Sequence, residues 1–304
     1  MSVAELEAQE LVLDAPTGGL WHEAFHRLKR NPTAILGAFL VVVFAIAAIF
    51  APLIAPYAPL DQNLGLLKAG GIPPGPSADH LFGVDLLGRD LFSRIVYGAR
   101  YSLLIGVVSV SIGLAVGLVL GSVAGYIGGI VDSTIMRVMD VMLAIPGLLF
   151  AIGIVAMLGP GLTQIMVAVG VVNIPIFARL LRGSILAQRE NDFVLAARSI
   201  GVRRRVILFS HILPNAISPV VVQGTLAMAT AIIDVAGLGF LGLGPQDPST
   251  PEWGTMLTDV NSYLNVAPFL AIIPGLAIVV SVLGFNLIGD GLREALDPKL
   301  RTRG

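Results

Sequence analysis

The segment His22-Glu23-Ala24-Phe25-His26 matches the pattern His-Glu-x-x-His, which can perform zinc chemistry on a helix. At that spacing the two imidazoles share one helix face and bind Zn²⁺, while the glutamate acts as general base. A catalytic zinc also needs a third protein ligand, yet no Glu occurs between Glu23 and Glu190. A membrane zinc protease is therefore the enzymatic alternative. We favour a metal-free interfacial helix, and we predict neither a metal site nor a catalytic residue in this chain.

Asp234 is a second residue that could do chemistry, because it is an acid deep within an otherwise apolar run. A charged group at the centre of a membrane helix costs about 2.5 to 3.5 kcal/mol on insertion scales, so it faces water, protein or substrate. Asp234 could contact a cationic group such as a peptide amino terminus, or it could be a hydrogen-bonded packing residue. An ion-coupled carrier could also use it, although a proton relay needs further acids. We predict that Asp234, Asn173 and Gln223 line one translocation path.

The composition predicts the elements that hold these residues. Apolar residues make up 55% of the chain and charged residues 13%, against about 25% charged residues in soluble domains. A helix of about 20 apolar residues crosses a bilayer. Six runs of suitable length predict an all-α integral membrane protein with six transmembrane helices: Thr33 to Ile54, Tyr101 to Ile127, Ile135 to Leu158, Leu162 to Ala178, Ala216 to Leu243 and Ala267 to Ile288.

Positive charges predict the orientation of these helices. With the N-terminus inside, fifteen of the nineteen Lys and Arg residues fall on the cytoplasmic side. Cytoplasmic loops of membrane proteins carry such an excess, so we predict that both termini are cytoplasmic. The first run is too long for a cleaved signal and follows acidic residues, which favours a retained anchor. The sequence contains no cysteine, which excludes disulfides.

These observations divide the chain into five predicted regions. They are a cytoplasmic tail with an interfacial helix (1–32), the first transmembrane helix (33–55), an external loop (56–100), a transmembrane core (101–290) and a cytoplasmic tail (291–304). Within the core, small residues four apart predict a helix-packing face made of Ser109, Gly113, Gly117, Gly121 and Gly125. Four prolines predict kinks within spans: Pro146, Pro175, Pro219 and Pro274.

The cytoplasmic stretch 190–215 predicts two short helices that project from the membrane. Asn191 or Asp192 can cap the first helix, and Gly201 can end it in the left-handed conformation. Its predicted apolar face consists of Phe193, Val194, Ala197 and Ile200. The second helix follows the basic cluster 203–205, with a predicted apolar face of Val206, Ile207, Phe209 and Ile212, and leads into the fifth span at Pro214. A soluble partner could bind such a projection.

This stretch resembles a known family. Ala196-Ala197-Arg198-Ser199-Ile200-Gly201, followed by His211-Ile212-Leu213-Pro214-Asn215, is similar to the EAA loop in the membrane subunits of ABC importers. In that family the loop forms a coupling helix that sits in a cleft of the ATPase subunit. Leu195 stands where the pattern has Glu, so the contact of that Glu is not carried over. The resemblance implies that ATPase coupling uses Glu190, Phe193, Ala196, Ala197, Arg198, Gly201, Arg205, His211 and Pro214.

Further blocks resemble the C-type subunit of the dipeptide and oligopeptide permease branch. They lie at 80–90, 97–100, 251–254, 285–293 and 296–298. The resemblance implies a five-helix importer core, preceded by an N-terminal anchor helix. It also implies a permease subunit for di- or oligopeptides that forms half of a translocation pathway. Nickel, glutathione or another small solute remain alternative substrates, because importers of these solutes share the branch.

The sequence also indicates what the chain takes from its partners. The phosphate-binding pattern Gly-x-x-x-x-Gly-Lys-Ser/Thr does not occur, and no Gly is followed by Lys. We therefore expect no cofactor in this chain and expect ATP and Mg²⁺ to be bound by partner ATPase subunits. The resemblance implies a homologous permease subunit in a heterodimer, two ATP-binding subunits or domains, and an external solute-binding protein. It places the assembly in the bilayer of a bacterial plasma membrane, with no nucleic-acid partner.

Overall fold

The computed structural model describes residues 20–258 and 260–296. In this part of the chain there is no β-strand, and the extended pairings are isolated bridges. The predicted acidic N-terminal stretch and the end of the C-tail lie outside the described residues. The main helices are α1 (Leu20–Leu28), α2 (Pro32–Ile49), α3 (Leu91–Ile127), α4 (Gly129–Ala144), α5 (Gly147–Leu158), α6 (Leu162–Arg189), α7 (Asp192–Ser199), α8 (Ser218–Leu238) and α9 (Phe269–Leu296).

Five of these helices, α2, α3, α6, α8 and α9, are long and apolar enough to cross a membrane. The pair α4 and α5 counts as a sixth span if the two helices, bent by 93°, are taken together. The structure therefore confirms an all-helical chain with up to six spans. Short helical turns complete the described fold at Ala51–Ile54, Leu64–Leu66, Thr255–Leu257 and Val260–Tyr263.

The predicted continuous third span, 135–158, is wrong. Its first part carries Arg137 and Asp140, and the chain bends between α4 and α5. Ile145 has extended backbone angles, φ −91° and ψ 128°, because the ring of Pro146 disfavours a helical residue before it. Pro146 itself precedes the first turn of α5. The proline therefore divides the span rather than kinking it.

The other prolines differ in their positions. Pro175 and Pro274 lie inside the continuous helices α6 and α9. Pro219 lies in the first turn of α8, where a missing backbone N–H breaks no helical hydrogen bond. The predicted kink within a span is therefore wrong at Pro219.

Helix α3 begins at Leu91, well before the apolar run at Tyr101. Asp90 caps it, because Oδ2 of Asp90 accepts hydrogen bonds from the Ser93 backbone N at 2.7 Å and from Ser93 Oγ at 2.6 Å. The helix thus extends from the external segment into the bundle. Arg94 and Arg100, in sequence the last positive charges before the second apolar run, lie on this helical extension.

The small-residue face of α3 packs against α6, as predicted. A Cβ built at Gly113 would lie 2.7 Å from Asn173 Cβ, one at Gly117 2.5 Å from Phe177 Cβ, and one at Gly121 2.5 Å from the carbonyl oxygen of Ala178. Only glycine allows this approach. The largest apolar core lies beside the seam and contains buried residues from α3, α6, α8 and the cytoplasmic helical segment.

Helix α2 packs on α9, the last helix of the bundle. A Cβ at Gly37 would lie 2.7 Å from the carbonyl oxygen of Gly284. Asn31 caps α2 through Oδ1, which accepts from the backbone N of Thr33, and its Nδ2 donates to Glu294 Oε2 at 2.7 Å. The first membrane helix is therefore attached to α9 at its N-terminal end.

Candidate functional site

Helix α7 is the first part of the projecting cytoplasmic stretch. Asn191 occupies the N-cap position with extended backbone angles, but its side chain donates to Gln188 Oε1 at 2.8 Å instead of capping the helix. At the other end Gly201 has φ 77°. The backbone N of Val202 donates to Ala197 O at 3.1 Å and that of Gly201 to Arg198 O at 3.0 Å. These two bonds form the Schellman arrangement that a left-handed glycine permits, as predicted for Gly201.

The buried and exposed sides of α7 differ from the predicted pattern. Val194 and Ala197 are buried in the core, but Phe193 is 41% and Ile200 80% exposed. The predicted single apolar face is therefore divided between a buried side and exposed positions. Leu195, where the family pattern has Glu, is also exposed. Phe193 and Leu195 on α7 and Ile200 at its C-cap are large apolar side chains that remain exposed, and they are here called the α7 patch.

The second cytoplasmic helix is interrupted by a π-helical turn. It consists of Arg204–Val206 in α form, Ile207–Ile212 in π form and Leu213–Ala216 in α form. Because a π turn bonds residues five apart, Ile207 and Ile212 come to the same buried side together with Leu208. Val206 and Phe209 are exposed, so the predicted apolar face of Val206, Ile207, Phe209 and Ile212 does not stay together.

The remaining predicted coupling residues surround the α7 patch at the surface of the chain. Most of them are exposed, whereas His211 is half-buried; the exposed ones are Glu190, Ala196, Arg198, Arg205 and Pro214. Exposed apolar side chains rimmed by polar and charged residues are typical of a protein-binding surface. The exposed side of the stretch is therefore available to a partner, while its buried side packs on the bundle.

Two further residues, which sequence reasoning missed, connect this stretch to the bundle. Arg189 Nη1 donates to the Gly125 carbonyl at 2.9 Å, at the C-terminal end of α3. Tyr126 Oη donates to the Arg204 carbonyl at 2.6 Å. A basic residue near a helix C-terminus is a recognisable partner for unpaired carbonyls. Which other helix supplies those carbonyls can be identified only from the fold.

The predicted path residues do not form one cluster. Gln223 lines a cavity of about 670 Å³ between α4, α6 and α8, together with Leu143, Ile176, Arg179 and Pro219. Asn173 is buried at the α3–α6 seam, where its Nδ2 donates to Val169 O at 2.8 Å. Asp234 is half-buried on α8 and does not line this cavity.

Two ion pairs, also missed from sequence, join α4 to α6. Arg182 donates through Nε at 3.0 Å and Nη2 at 2.6 Å to the two oxygens of Asp132. Arg179 Nη2 pairs with Asp140 Oδ1. Periodicity could not reveal these pairs, because the register between two separate helices sets them.

A buried acid lies on the opposite side of the bundle, in the loop between α8 and α9. Glu252 is 1% exposed. It accepts from the backbone N of Gly254 at 2.7 Å and of Thr255 at 2.9 Å. Burial raises the pKa of Glu252 to about 7, although these hydrogen bonds act to lower it. The neighbouring Trp253 is fully buried and donates through Nε1 to Ile95 O at 3.1 Å, so the block 251–254 fastens this loop to α3.

The described residues contain no group of three or more side chains that could hold a metal ion. His22 and His26 lie on one side of α1, with ring centroids 5.4 Å apart.

A bundle of membrane-crossing helices with a cavity on its flank and an exposed helical segment is the architecture of a membrane transport subunit. Residues 117–302 match the family described as binding-protein-dependent transport system inner membrane component. Residues 19–74 match the N-terminal TM domain of oligopeptide transport permease C. The chain belongs to the family of inner membrane components of binding-protein-dependent transport systems, as a multi-pass membrane protein.

Curated relatives support this family along nearly the whole chain. The dipeptide transport system permease protein DppC of Alkalihalophilus pseudofirmus is 48% identical over 93% of this chain and 91% of its own length. The glutathione transport system permease protein GsiD of Shigella flexneri is 48% identical over 98% of this chain and 97% of its own length. The predicted resemblance to the peptide permease branch is confirmed.

A solved structure supports the fold. An inward-facing form of the MetNI methionine ABC transporter superposes with a TM-score of 0.55 at 20% identity. The match covers 67% of this chain and 96% of the other. At this identity the likeness shows the transporter fold alone.

Proposed function

We propose that the chain is a permease subunit of an ATP-driven importer for di- or oligopeptides and forms half of its translocation pathway. The observation that supports the proposal is the α7 patch, the exposed apolar side chains on the helix that resembles the coupling helix. Relatives named for dipeptide and glutathione transport support a peptide substrate. Glutathione, itself a tripeptide, is the second candidate because GsiD matches along 98% of the chain.

The partner subunits follow from the surfaces that the chain leaves exposed. ATPase subunits bind the α7 patch and carry ATP and Mg²⁺. A homologous permease subunit covers α4 and α5, where Ile130 and Met157 are 85% and 88% exposed, and together the two subunits enclose the path that Gln223 lines. An external solute-binding protein delivers the peptide. We place the complex in the bacterial plasma membrane with both termini cytoplasmic.

In this proposal, movement of the ATPase subunits reaches the bundle through α7. Val194 and Ala197 anchor α7 to the core. The contacts of Arg189 with Gly125 and of Tyr126 with Arg204 join its flanking segments to α3. Because α3 and α6 pack without space between them, they move as one body. Rigid-body motion, driven by different contacts in the two states, then changes the side of the membrane to which the cavity is open.

Gly201 provides the test. A Cβ there would meet nothing within 4 Å, but φ is 77°, so a substitution acts through backbone strain of about 1 to 2 kcal/mol. Gly201→Val should leave the rate of ATP hydrolysis by the reconstituted complex unchanged. It should lower the ATP-driven uptake of labelled dialanine. Gly201→Asn is the matched control, because Asn tolerates the left-handed conformation, and it should retain most uptake.

Uptake is measured in proteoliposomes that contain all subunits and the binding protein, with glutathione as competitor. Normal uptake by Gly201→Val would remove the coupling role from this stretch. If the unmodified complex takes up glutathione but shows no ATP-dependent uptake of dialanine, glutathione is the substrate.

A further inference from the structure

The two ion pairs between α4 and α6 differ in their surroundings. In the pair of Asp132 and Arg182, the side chains are 15% and 33% exposed, and the guanidinium binds both carboxylate oxygens. In the pair of Asp140 and Arg179, the side chains are 59% and 52% exposed and a single oxygen is bonded. The first pair has the enclosed, bidentate geometry of a structural contact. The second pair leaves acceptor and donor atoms free.

One member of the exposed pair, Arg179, lines the cavity proposed for the translocation path together with Gln223. Leu143 also lines this cavity and follows Asp140, the other member, by less than one helical turn. Arg179 lies on the membrane-crossing helix α6, where a charged group does not face lipid stably, so it must meet water, protein or substrate. An exposed ion pair contributes little stability. Asp140 and Arg179 can therefore separate and bind new partners at a small cost in free energy.

A short peptide with free ends carries the two complementary charges, an ammonium and a carboxylate. We propose that Asp140 binds the amino terminus and Arg179 binds the carboxyl terminus of the transported peptide, and that the peptide separates the pair as it enters the cavity. This inference rests on the proposed function and names its substrate class, short zwitterionic peptides. The cavity volume of about 670 Å³ lies within the range of about 300 to 1,000 Å³ that is common for small-molecule sites.

The rest of the cavity lining fits such a substrate. Ile176 and Leu180 present apolar surface to side chains of any sequence, and the amide of Gln223 can both donate to and accept from a peptide group. Charges would therefore fix the two ends while the middle of the peptide is bound without selection. A guanidinium is suited to the carboxylate end, because its planar donors match a carboxylate.

The test compares substrates that lack one terminal charge at a time. ATP-driven uptake of dialanine, N-acetyl-dialanine and dialanine amide is measured with the complete complex in proteoliposomes. Asp140→Asn should raise KM about tenfold for dialanine, the loss expected for about 1.4 kcal/mol of charge-assisted binding, and leave KM for N-acetyl-dialanine unchanged. Arg179→Gln should raise KM for dialanine similarly and leave KM for dialanine amide unchanged.

Asp132→Asn is the matched control, because it breaks the enclosed pair on the same two helices. It should lower the amount of folded complex without distinguishing the three substrates. Equal KM changes for free and capped substrates in the Asp140 and Arg179 variants would overturn the site.

Direct binding of labelled dialanine to the detergent-purified complex without binding protein gives a second readout. Binding by Asp140→Asn that is as tight as that of the unmodified complex would also overturn the site. Either of these outcomes would be compatible with ATP-driven dialanine uptake by the unmodified complex, which tests the proposed function. Failure of the site can therefore be distinguished from failure of the proposed function.

Discussion

The side chain of Glu252 attaches the loop between α8 and α9 to the bundle and makes the stability of the protein depend on pH. The carboxylate receives two backbone N–H groups from its own loop, and Ser102 Oγ on α3 donates to it at 3.4 Å. A Cβ at Gly239, where α8 changes to a π turn, would lie only 2.5 Å from Glu252 Oε2. The residue therefore fills the junction between the loop, α3 and α8, and water is excluded from it.

The pKa of Glu252, raised by burial from 4.5 to about 7, predicts stability that falls as pH rises. Between these values the native state holds a proton that the unfolded chain has released, so the free energy of unfolding is greatest below pH 4.5 and decreases through pH 7. The measurement is the unfolding temperature of the purified chain in detergent from pH 5 to pH 8. Glu252→Gln should flatten this profile. The exposed Glu294→Gln should leave it unchanged, and identical profiles for all three proteins would contradict the assignment.

At the scale of elements, the bundle depends on close helix approach. The face of α3 predicted from its four-residue repeat packs on α6, because small residues let two backbones meet and no larger side chain fits. The ion pairs of Arg179 and Arg182 with α4 lie further along the same helix α6. One helix thus holds the packing seam, the cavity lining and, through Arg189, the link between α3 and the cytoplasmic stretch.

Gly121→Ala tests the seam. The added Cβ would lie 2.5 Å from the Ala178 carbonyl oxygen, which is backbone and cannot rotate away. We expect a loss of about 1 to 3 kcal/mol in stability from overpacking. Gly275→Ala is the control within α9, because its Cβ would meet nothing within 4 Å and the helix gains about 0.5 to 1 kcal/mol from alanine. Thermal unfolding in detergent should move in opposite directions for the two variants, and equal shifts would argue against the seam.

Periodicity predicted most of the elements but not their breaks. The α3 stripe and the left-handed Gly201 follow from local spacing, so both could be predicted. A kink was predicted at Pro146, but its size of 93° was not, because hydropathy is the same for one kinked helix or two separate ones. Phe209 does not share the buried side of Ile207 and Ile212 because the π turn changes the helical period. The pair of Asp140 and Arg179 depends on the register of two helices, which no local pattern contains.

For the whole molecule, the distribution of charge relates the fold to the membrane. Two of the four positive residues on the predicted external side, Arg89 and Arg94, lie beside Asp85 at 2.6 Å and 3.3 Å. Their charge is therefore partly neutralised within the protein. The seven Arg residues of the stretch 179–211 include the exposed cluster 203–205. The asymmetry of positive charge between the two sides remains a prediction from the count of Lys and Arg in the sequence.

This asymmetry predicts which side of the bilayer each loop occupies, and the absence of cysteine makes the prediction directly testable. Single substitutions Ala78→Cys, before α3, and Ser199→Cys, at the end of α7, place one thiol at an exposed position on each side. A membrane-impermeant maleimide applied to intact spheroplasts should label only the Ala78→Cys protein, and permeabilisation should expose both thiols. Because positive residues are retained on the cytoplasmic side, labelling of Ser199→Cys before permeabilisation would reverse the orientation and remove α7 from the reach of any cytoplasmic ATPase.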